Sequence, residues 1–134
     1  MSYLVDTNII SELCRLKPDP GVLDWAARVE RHFISVISVE EIFFGLAWRP
    51  SVRLHTWMEH YFQRHEIVPI TEPIGRRAGE LRGEFAMRGI VREQADMLIA
   101  ATAQVHALTL VTRNSRDFEG CGIGLLNPFC EAAP

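Results

Sequence analysis

Short runs of apolar residues recur along the chain, separated by longer segments whose apolar residues return with helical spacing. Most runs border turn-forming or polar residues, which is typical of strands. Because the runs contain few polar positions, both faces of each strand should be buried, as in a parallel sheet covered by helices. The predicted strands are Tyr3–Val5, His32–Val36, Ile67–Ile70, Leu108–Thr112 and Gly124–Leu126.

The longer segments are predicted helices, because their apolar residues recur every three or four positions. They are Thr7–Leu16, Val22–Arg31, Ser38–Trp48, Val52–His65, Pro73–Arg88 and Glu93–Ala107, with a turn over 17–21. The last of them is apolar almost all round and should be buried. Helices that alternate with buried strands predict an α/β fold with a parallel sheet of four to five strands. A length of 134 residues with no linker predicts a single domain, 1–134.

The composition of the chain argues against several classes of protein. The net charge of −3 argues against a general nucleic-acid binder, which would be basic. The apolar runs are too short to span a bilayer, and no targeting segment precedes them, so we expect a cytoplasmic protein without membrane contact. Three widely spaced cysteines without a C-x-x-C motif favour reduced thiols over a disulfide framework or a zinc site.

Acidic and amide residues stand where predicted strands end or where the following helices begin. Asp6 follows the first strand, Glu41 lies in the first turn after the second, and Asp96 opens the buried helix. Asn114 follows the fourth strand, and Asp117 comes three residues later. The carboxyl ends of parallel strands form one rim, where ligands bind in α/β proteins. We therefore expect these side chains to lie close together.

Each acid also has a purely structural explanation. Asp6 could cap the following helix, and Ser38 with Glu41 matches the S-x-x-E capping box. Asp96 could complement the helix dipole, as acids in a first turn do. These explanations account for each position singly, but they do not account for three acids converging on one edge.

Several carboxylates at one edge would repel each other, and no lysine lies near them in sequence. A divalent cation would relieve the repulsion, and an all-oxygen donor set favours Mg²⁺, with Mn²⁺ as a substitute, over zinc. A histidine site is the competing metal hypothesis. His55, His60 and His65 are spaced five apart, so they wind around a helix and are expected at the surface or in partner contacts.

Four sequence blocks carry a resemblance to a known family. They are L-V-D-T-N-I-I-S-E-L, S-V-E-E-I-F-F-G, A-D-M-L-I-A-A-T-A and V-T-R-N-S-R-D-F, in this order within Leu4–Pro128. In sequence and spacing the chain resembles the PIN-domain ribonuclease toxins of the VapC and FitB type, from type II toxin–antitoxin systems. The resemblance implies a three-layer α/β/α sandwich and a Mg²⁺-dependent endoribonuclease. It also implies a VapB/FitA-like antitoxin that binds operator DNA, and a homodimer that assembles further with antitoxin.

The resemblance also assigns roles by position. Asp6, Glu41 and Asp96 match the three near-constant acids of the family, and Glu41 is preferred to Glu40 because it stands four residues before Gly45. Asp6 and Asp96 would hold the metal, with Glu41 bound through water or orienting the nucleophile. The fourth position, often aspartate in relatives, is occupied here by Asn114. Either this amide orients a water molecule or Asp117 contributes instead, and a second ion would arrive with RNA.

Three other functions compete with this assignment. A PIN domain that binds RNA or partners without cutting remains compatible with the same motifs. An aspartate-dependent phosphatase of the haloacid-dehalogenase type needs a second acid two residues after Asp6, where this chain has Asn8. A phospho-receiver domain needs a lysine after its last strand, and the chain has only Lys17. The class of RNA target stays open among tRNA, ribosomal RNA and messenger RNA.

Overall fold

A computed structural model describes residues 1–130, in which five short strands form one sheet. The strands are Tyr3–Val5 (β1), Phe33–Ser35 (β2), Glu66–Val68 (β3), Thr109–Val111 (β4) and Leu125–Leu126 (β5). Their order is β3-β2-β1-β4-β5, and every neighbouring pair is parallel. The predicted parallel sheet is therefore confirmed, including the short fifth strand. With β1 at the centre, the carboxyl ends of β2, β1 and β4 are adjacent.

Six helices connect the strands in the described part of the chain. They are Thr7–Leu13 (α1), Pro20–Arg28 (α2), Val36–Trp48 (α3), Val52–Arg64 (α4), Glu72–Met87 (α5) and Gln94–Val105 (α6). A 3₁₀ turn over Ser115–Phe118, which the sequence analysis did not predict, follows β4. The other differences are at element ends, where local hydrogen bonding outweighs the apolar pattern.

Two hydrophobic clusters lie on opposite faces of the sheet. Leu4 and Leu110 belong to one cluster, which α5 and α6 complete, whereas Val5 and Val111 belong to the other, with α1 to α4. Successive residues of a strand point to opposite faces, so neighbouring residues divide between the two cores. The result is the three-layer α/β/α arrangement, and it explains why the strands contain no alternating polar positions.

The start of α3 differs from the prediction in a way that matters for Glu41. The helix begins at Val36, because the Ser35 hydroxyl accepts a hydrogen bond from the backbone N–H of Ile37 at 3.0 Å. Ser38 is therefore inside the helix and cannot form the predicted capping box with Glu41. The prediction was wrong because a serine two residues earlier, at the end of β2, takes the capping position.

Two further expectations concern membrane-spanning helices and the state of the cysteines. No helix within residues 1–130 combines the length and the apolar character needed to cross a bilayer. The three cysteines are free thiols, as expected, although only Cys14 and Cys121 are buried and Cys130 is exposed.

Candidate active site

A cleft of about 480 Å³ opens at the carboxyl ends of the central strands. Four of the five predicted site residues line it: Asp6, Glu41, Asp96 and Asn114. Asp117, in the 3₁₀ turn, does not line the cleft, but it lies near enough to raise the pKa of Asp6 and Asp96. A larger cavity of about 810 Å³ lies beside α2 and contains none of these residues. The chemistry of the side chains therefore points to the smaller cleft.

Asp6 is both a helix cap and a buried wall of the cleft. One carboxylate oxygen, Oδ1, accepts the backbone N–H of Thr7 at 2.8 Å, which confirms the predicted cap. The other, Oδ2, accepts the Thr112 hydroxyl at 2.8 Å and the Asn8 side-chain amide at 3.3 Å. Burial raises the pKa of Asp6, and Glu41 raises it further, while the bonds from Thr112 and Thr7 lower it. Capping and a role in the site are thus compatible in this residue.

Thr112 is the buried side chain that ties β4 to β1 at the cleft. Its hydroxyl donates to Asp6 and accepts the backbone N–H of Asn114 at 3.0 Å. The side-chain amide of Asn8 lies 3.4 Å from the same oxygen, and its carbonyl accepts the N–H of Arg113 at 3.2 Å. This network fixes where the chain leaves β4, and with it the position of Asn114.

Glu41 reaches the cleft from the exposed side of α3 and is held there by a chain of hydroxyls. The Thr7 hydroxyl lies 2.6 Å from Glu41 Oε1 and 2.8 Å from the hydroxyl oxygen of Ser38. Thr7 has one hydroxyl hydrogen, which goes to the carboxylate, so Ser38 donates to Thr7. Ser38 is fully buried and anchors this chain. It therefore supports Glu41 from inside the helix and not as the predicted cap.

Asp96 lies half-buried in the first turn of α6, as predicted. Burial is the largest cause of a raised pKa of about 6 for this residue, and four nearby acids account for the rest of the rise: Asp6, Asp117, Glu93 and Glu41. An acid contributes to such a shift only when its charge lies close by. The five carboxylates therefore form one electrostatic cluster, although they come from four separate parts of the chain.

Some charged residues in or near the cleft were not predicted. Glu93 precedes α6 and adds to the negative charge on Asp96. Glu12 lines the cleft four residues after Asn8, a helical spacing that could have revealed it. Arg15 and Arg113 also line the cleft. The expectation of a cluster without nearby cations considered only lysine and was wrong for arginine.

The prediction that His55, His60 and His65 lie at the surface is only partly correct. His55 and His60 are exposed, but His65 is partly buried and stacks on His32 with ring centroids 3.8 Å apart. The Tyr61 hydroxyl makes a short hydrogen bond with Nε2 of His32. Burial lowers the pKa of His32 to about 3, so its ring is neutral. These rings are part of the packing beneath α4 and do not line the acidic cleft.

The donor set of the cleft fits a hard divalent cation bound partly through water. Within residues 1–130, no three His, Cys, Asp or Glu side chains are grouped tightly enough to hold one ion by themselves. Mg²⁺ retains several water ligands and is usually held by one or two carboxylates together with substrate phosphates. Asp6 and Asp96 could supply the one or two carboxylate ligands, and Glu41 and Asn114, which line the same cleft, could hold the water ligands of such an ion.

Comparison with known proteins identifies the family. The family model described as PIN domain matches residues 3–120. The chain is 33% identical to the VapC ribonuclease Y4jK of Sinorhizobium fredii, over 94% of the chain and 96% of the relative. It is 31% identical to toxin FitB of Neisseria gonorrhoeae, over 94% and 97%.

Solved structures give the same result. The structure of FitAcB from Neisseria gonorrhoeae superimposes with a TM-score of 0.82 at 31% identity, covering 94% of this chain and 97% of that chain. DNA-bound VapBC from Salmonella typhimurium gives a TM-score of 0.80 at 26% identity, covering 93% and 96%. At these TM-scores, this chain shares its fold with both structures.

The electrostatic cluster predicts a specific pH dependence of stability. The pKa of Asp96 rises from 3.8 to about 6 on folding, so the folded state binds the proton more tightly and loses stability as pH rises between these values. We expect Asp96→Asn, measured by urea denaturation in EDTA, to be more stable than wild type at pH 7.5. The gain should be on the order of 1 kcal/mol after allowance for solvent screening, and it should vanish near pH 4.

The control is Asp24→Asn, which alters an exposed aspartate paired with Arg28 at 3.1 Å. It should show no comparable difference between the two pH values. A loss of stability in Asp96→Asn at pH 7.5 would mean that the carboxylate stabilises the start of α6 and that repulsion is not its dominant interaction.

Proposed function

We propose that this chain, which belongs to the PIN domain family, is the toxin of a toxin–antitoxin pair and a metal-dependent endoribonuclease. The observation that carries the proposal is the cluster of Asp6, Glu41 and Asp96 at one cleft, in a chain similar to a VapC ribonuclease and to toxin FitB. The reaction is hydrolysis of RNA phosphodiester bonds. An RNA substrate agrees with a cytoplasmic location.

In this proposal Asp6 and Asp96 hold Mg²⁺, for which Mn²⁺ can substitute. When bound, the ion supplies Lewis-acid chemistry, since it polarises a phosphate oxygen and lowers the pKa of water. Glu41, positioned by Thr7, orients the attacking water and accepts its proton. Asn114 orients a second water or the phosphate through its side-chain amide. Asp117 and Glu93 contribute negative charge that attracts a further cation when RNA arrives.

The raised pKa of Asp96 gives the cation a physical role beyond catalysis. With no cation, the carboxylates repel one another, and burial adds to the cost of their charge. A divalent cation compensates both effects. The cluster is therefore more plausible as a metal site than as a set of independent helix caps, because only Asp6 among the three acids makes a capping hydrogen bond.

The geometry weighs against a phosphatase. That chemistry needs a general acid two residues after Asp6, and the amide of Asn8 is already hydrogen-bonded to Asp6 and to the backbone of Arg113. An amide cannot deliver the proton. A PIN domain that binds RNA without cutting differs from the proposed enzyme only in activity, so the cleavage assay below separates the two.

We expect the purified chain, free of antitoxin, to cleave RNA in the presence of Mg²⁺ or Mn²⁺ and to stop when EDTA is added in excess. The substrate is total cellular RNA, with the fragments mapped by end sequencing. Restoration of cleavage by excess Mg²⁺ is the control for damage by EDTA. Equal cleavage in EDTA would reject the metal-dependent mechanism, and no cleavage under any condition would favour the binding-only alternative.

Glu41→Gln should separate charge from structure at this position. The glutamine carbonyl still accepts the hydrogen bond from Thr7, so the melting temperature should stay close to that of wild type. Loss of the negative charge should reduce RNase activity by at least ~10²-fold, the usual scale for a positioned acid–base group. Glu40→Gln is the matched control, one position along α3, and should keep its activity. Full activity in Glu41→Gln would remove this residue from the mechanism.

The cognate partner is proposed to be a VapB/FitA-like antitoxin, through which the complex binds operator DNA. A groove of about 410 Å³ between α1, α3 and α4 is continuous with the cleft, because Thr7 and Glu41 line both. Its floor is apolar, with Ile42, Leu46 and Met58, and arginines lie along it. An amphipathic antitoxin segment with acidic residues complements this groove. Homodimers, and larger toxin–antitoxin assemblies, are part of the same proposal.

The groove proposal predicts that antitoxin binding and catalysis can be separated. Arg49 lines the groove but not the cleft, so Arg49→Glu should weaken antitoxin affinity by at least ~10-fold while RNase activity remains. Affinity is measured by calorimetry with the purified cognate antitoxin. Arg82→Glu, an exposed change on α5, is the control. Equal antitoxin affinity in both variants would place the antitoxin on another surface.

A further inference from the structure

A stacked arginine–phenylalanine pair lies at the cleft, and the proposed hydrolysis does not use it. The guanidinium carbon of Arg113 lies 4.5 Å from the centroid of the Phe129 ring. Both side chains line the same cleft as Asp6 and Asp96. An arginine and an aromatic ring beside a cluster of acids are unexpected if the cleft serves only to hold a metal ion.

Both members of the pair are held by hydrogen bonds from their own backbones. The N–H of Arg113 donates to the Asn8 side chain at 3.2 Å, and the N–H of Phe129 donates to the Asn127 side chain at 3.0 Å. Cys130 then donates its N–H to Asp19 at 3.0 Å. The bond from Phe129 shapes the segment over 127–130 internally, and the bond from Cys130 ties that segment to Asp19, the N-cap of α2.

Gly21, at the start of α2, allows this segment to lie so close. A Cβ atom there would clash with the carbonyl oxygen of Pro128 and would come within 2.8 Å of the Cys130 sulfur. Only glycine therefore fits with the segment in its present position. The position of Phe129 depends on this close approach as well as on its own packing against the core.

An RNA strand faces an electrostatic difficulty at this cleft. Its phosphates approach several carboxylates, so the strand needs a positive contact and a surface on which a base can stack. A guanidinium is planar, stacks on rings and donates to phosphate in a fixed fork. Bases of single-stranded RNA stack on aromatic rings and on guanidinium planes.

We propose that Arg113 and Phe129 together bind a nucleotide of single-stranded RNA next to the scissile phosphate, and that they determine affinity for unpaired RNA. The ring supports the guanidinium, and the pair offers both a stacking face and a phosphate contact. Arg15, the other arginine that lines the cleft, has no aromatic ring stacked against it within residues 1–130. The inference rests on the proposed ribonuclease function and extends it to substrate recognition.

Binding is measured in the Glu41→Gln background with Mg²⁺ present, so that little RNA is cut during the measurement. The probe is a fluorescein-labelled, random-sequence single-stranded RNA of 15 nucleotides, followed by anisotropy over a range of salt concentrations. Arg113→Ala should weaken binding about 10-fold and reduce the slope of log affinity against log salt by about 0.7, the value for one phosphate contact on a single strand. Arg76→Ala, an exposed arginine on α5, is the matched control and should change neither.

Phe129→Leu should weaken binding about 5-fold without changing the salt slope, because stacking is lost and charge is retained. Its effect should vanish with an abasic oligomer of the same length. Arg113→Lys should keep the salt slope and lose part of the affinity, which separates charge from stacking without removing the side chain. Melting curves for every variant check that the fold is retained.

In the chain with Glu41 intact, Arg113→Ala should raise KM about 10-fold and leave kcat within about twofold. If wild type cleaves RNA while Arg113→Ala matches Arg76→Ala in KM and salt slope, the inference is overturned and the ribonuclease function stands. If wild type neither binds nor cleaves RNA, both fail. An effect of Phe129→Leu that persists on the abasic oligomer would likewise overturn the stacking role.

Discussion

Repulsion between like charges is the constraint on which the rest of this structure depends. Asp6, Asp96 and Glu41 are held at one cleft by elements that are far apart in sequence, and burial with mutual repulsion raises the pKa of Asp96 to about 6. A fold does not maintain such an arrangement without some compensation. The hydroxyls of Thr7 and Thr112 provide part of it, because they donate to these carboxylates. In the proposed function, a divalent cation provides the remainder.

The parallel sheet explains why the acids meet. Its central strand ends at Val5, directly before Asp6, and the neighbouring strands end at Ser35 and Val111. As a result, α3 and the turn after β4 start beside the same carboxylate. Hydrogen bonds then position each side chain: Ser38 and Thr7 direct Glu41, and Thr112 fixes the backbone of Asn114. The hydrogen bonds that fix Asp6 and Glu41 therefore give the site a rigid frame.

Much of this arrangement could be predicted from the sequence, because buried parallel strands have a distinctive apolar pattern and place their carboxyl ends together. From this pattern, the sequence analysis correctly predicted that Asp6, Glu41, Asp96 and Asn114 lie at one edge of the sheet. The start of α3 was wrong, since Ser35 and Ser38 are equally plausible caps and only tertiary packing distinguishes them. The contact between Arg113 and Phe129 carries no local signal, because it joins residues from separate elements. The catalytic and metal-binding roles of the acids remain predictions.

The central claim is that these carboxylates form a cation site, and calorimetric titration of the metal-free protein with Mn²⁺ tests it most directly. The titration is repeated in buffers of different ionisation enthalpy, because the comparison gives the number of protons released on binding. Because the pKa of Asp96 is about 6, binding of a cation should release about half a proton for each ion at pH 6 and almost none at pH 7.5. Asp96→Asn should bind more weakly and lose this pH-dependent release. Absence of binding, or proton release that is the same in wild type and Asp96→Asn, would contradict a cation site built on these carboxylates.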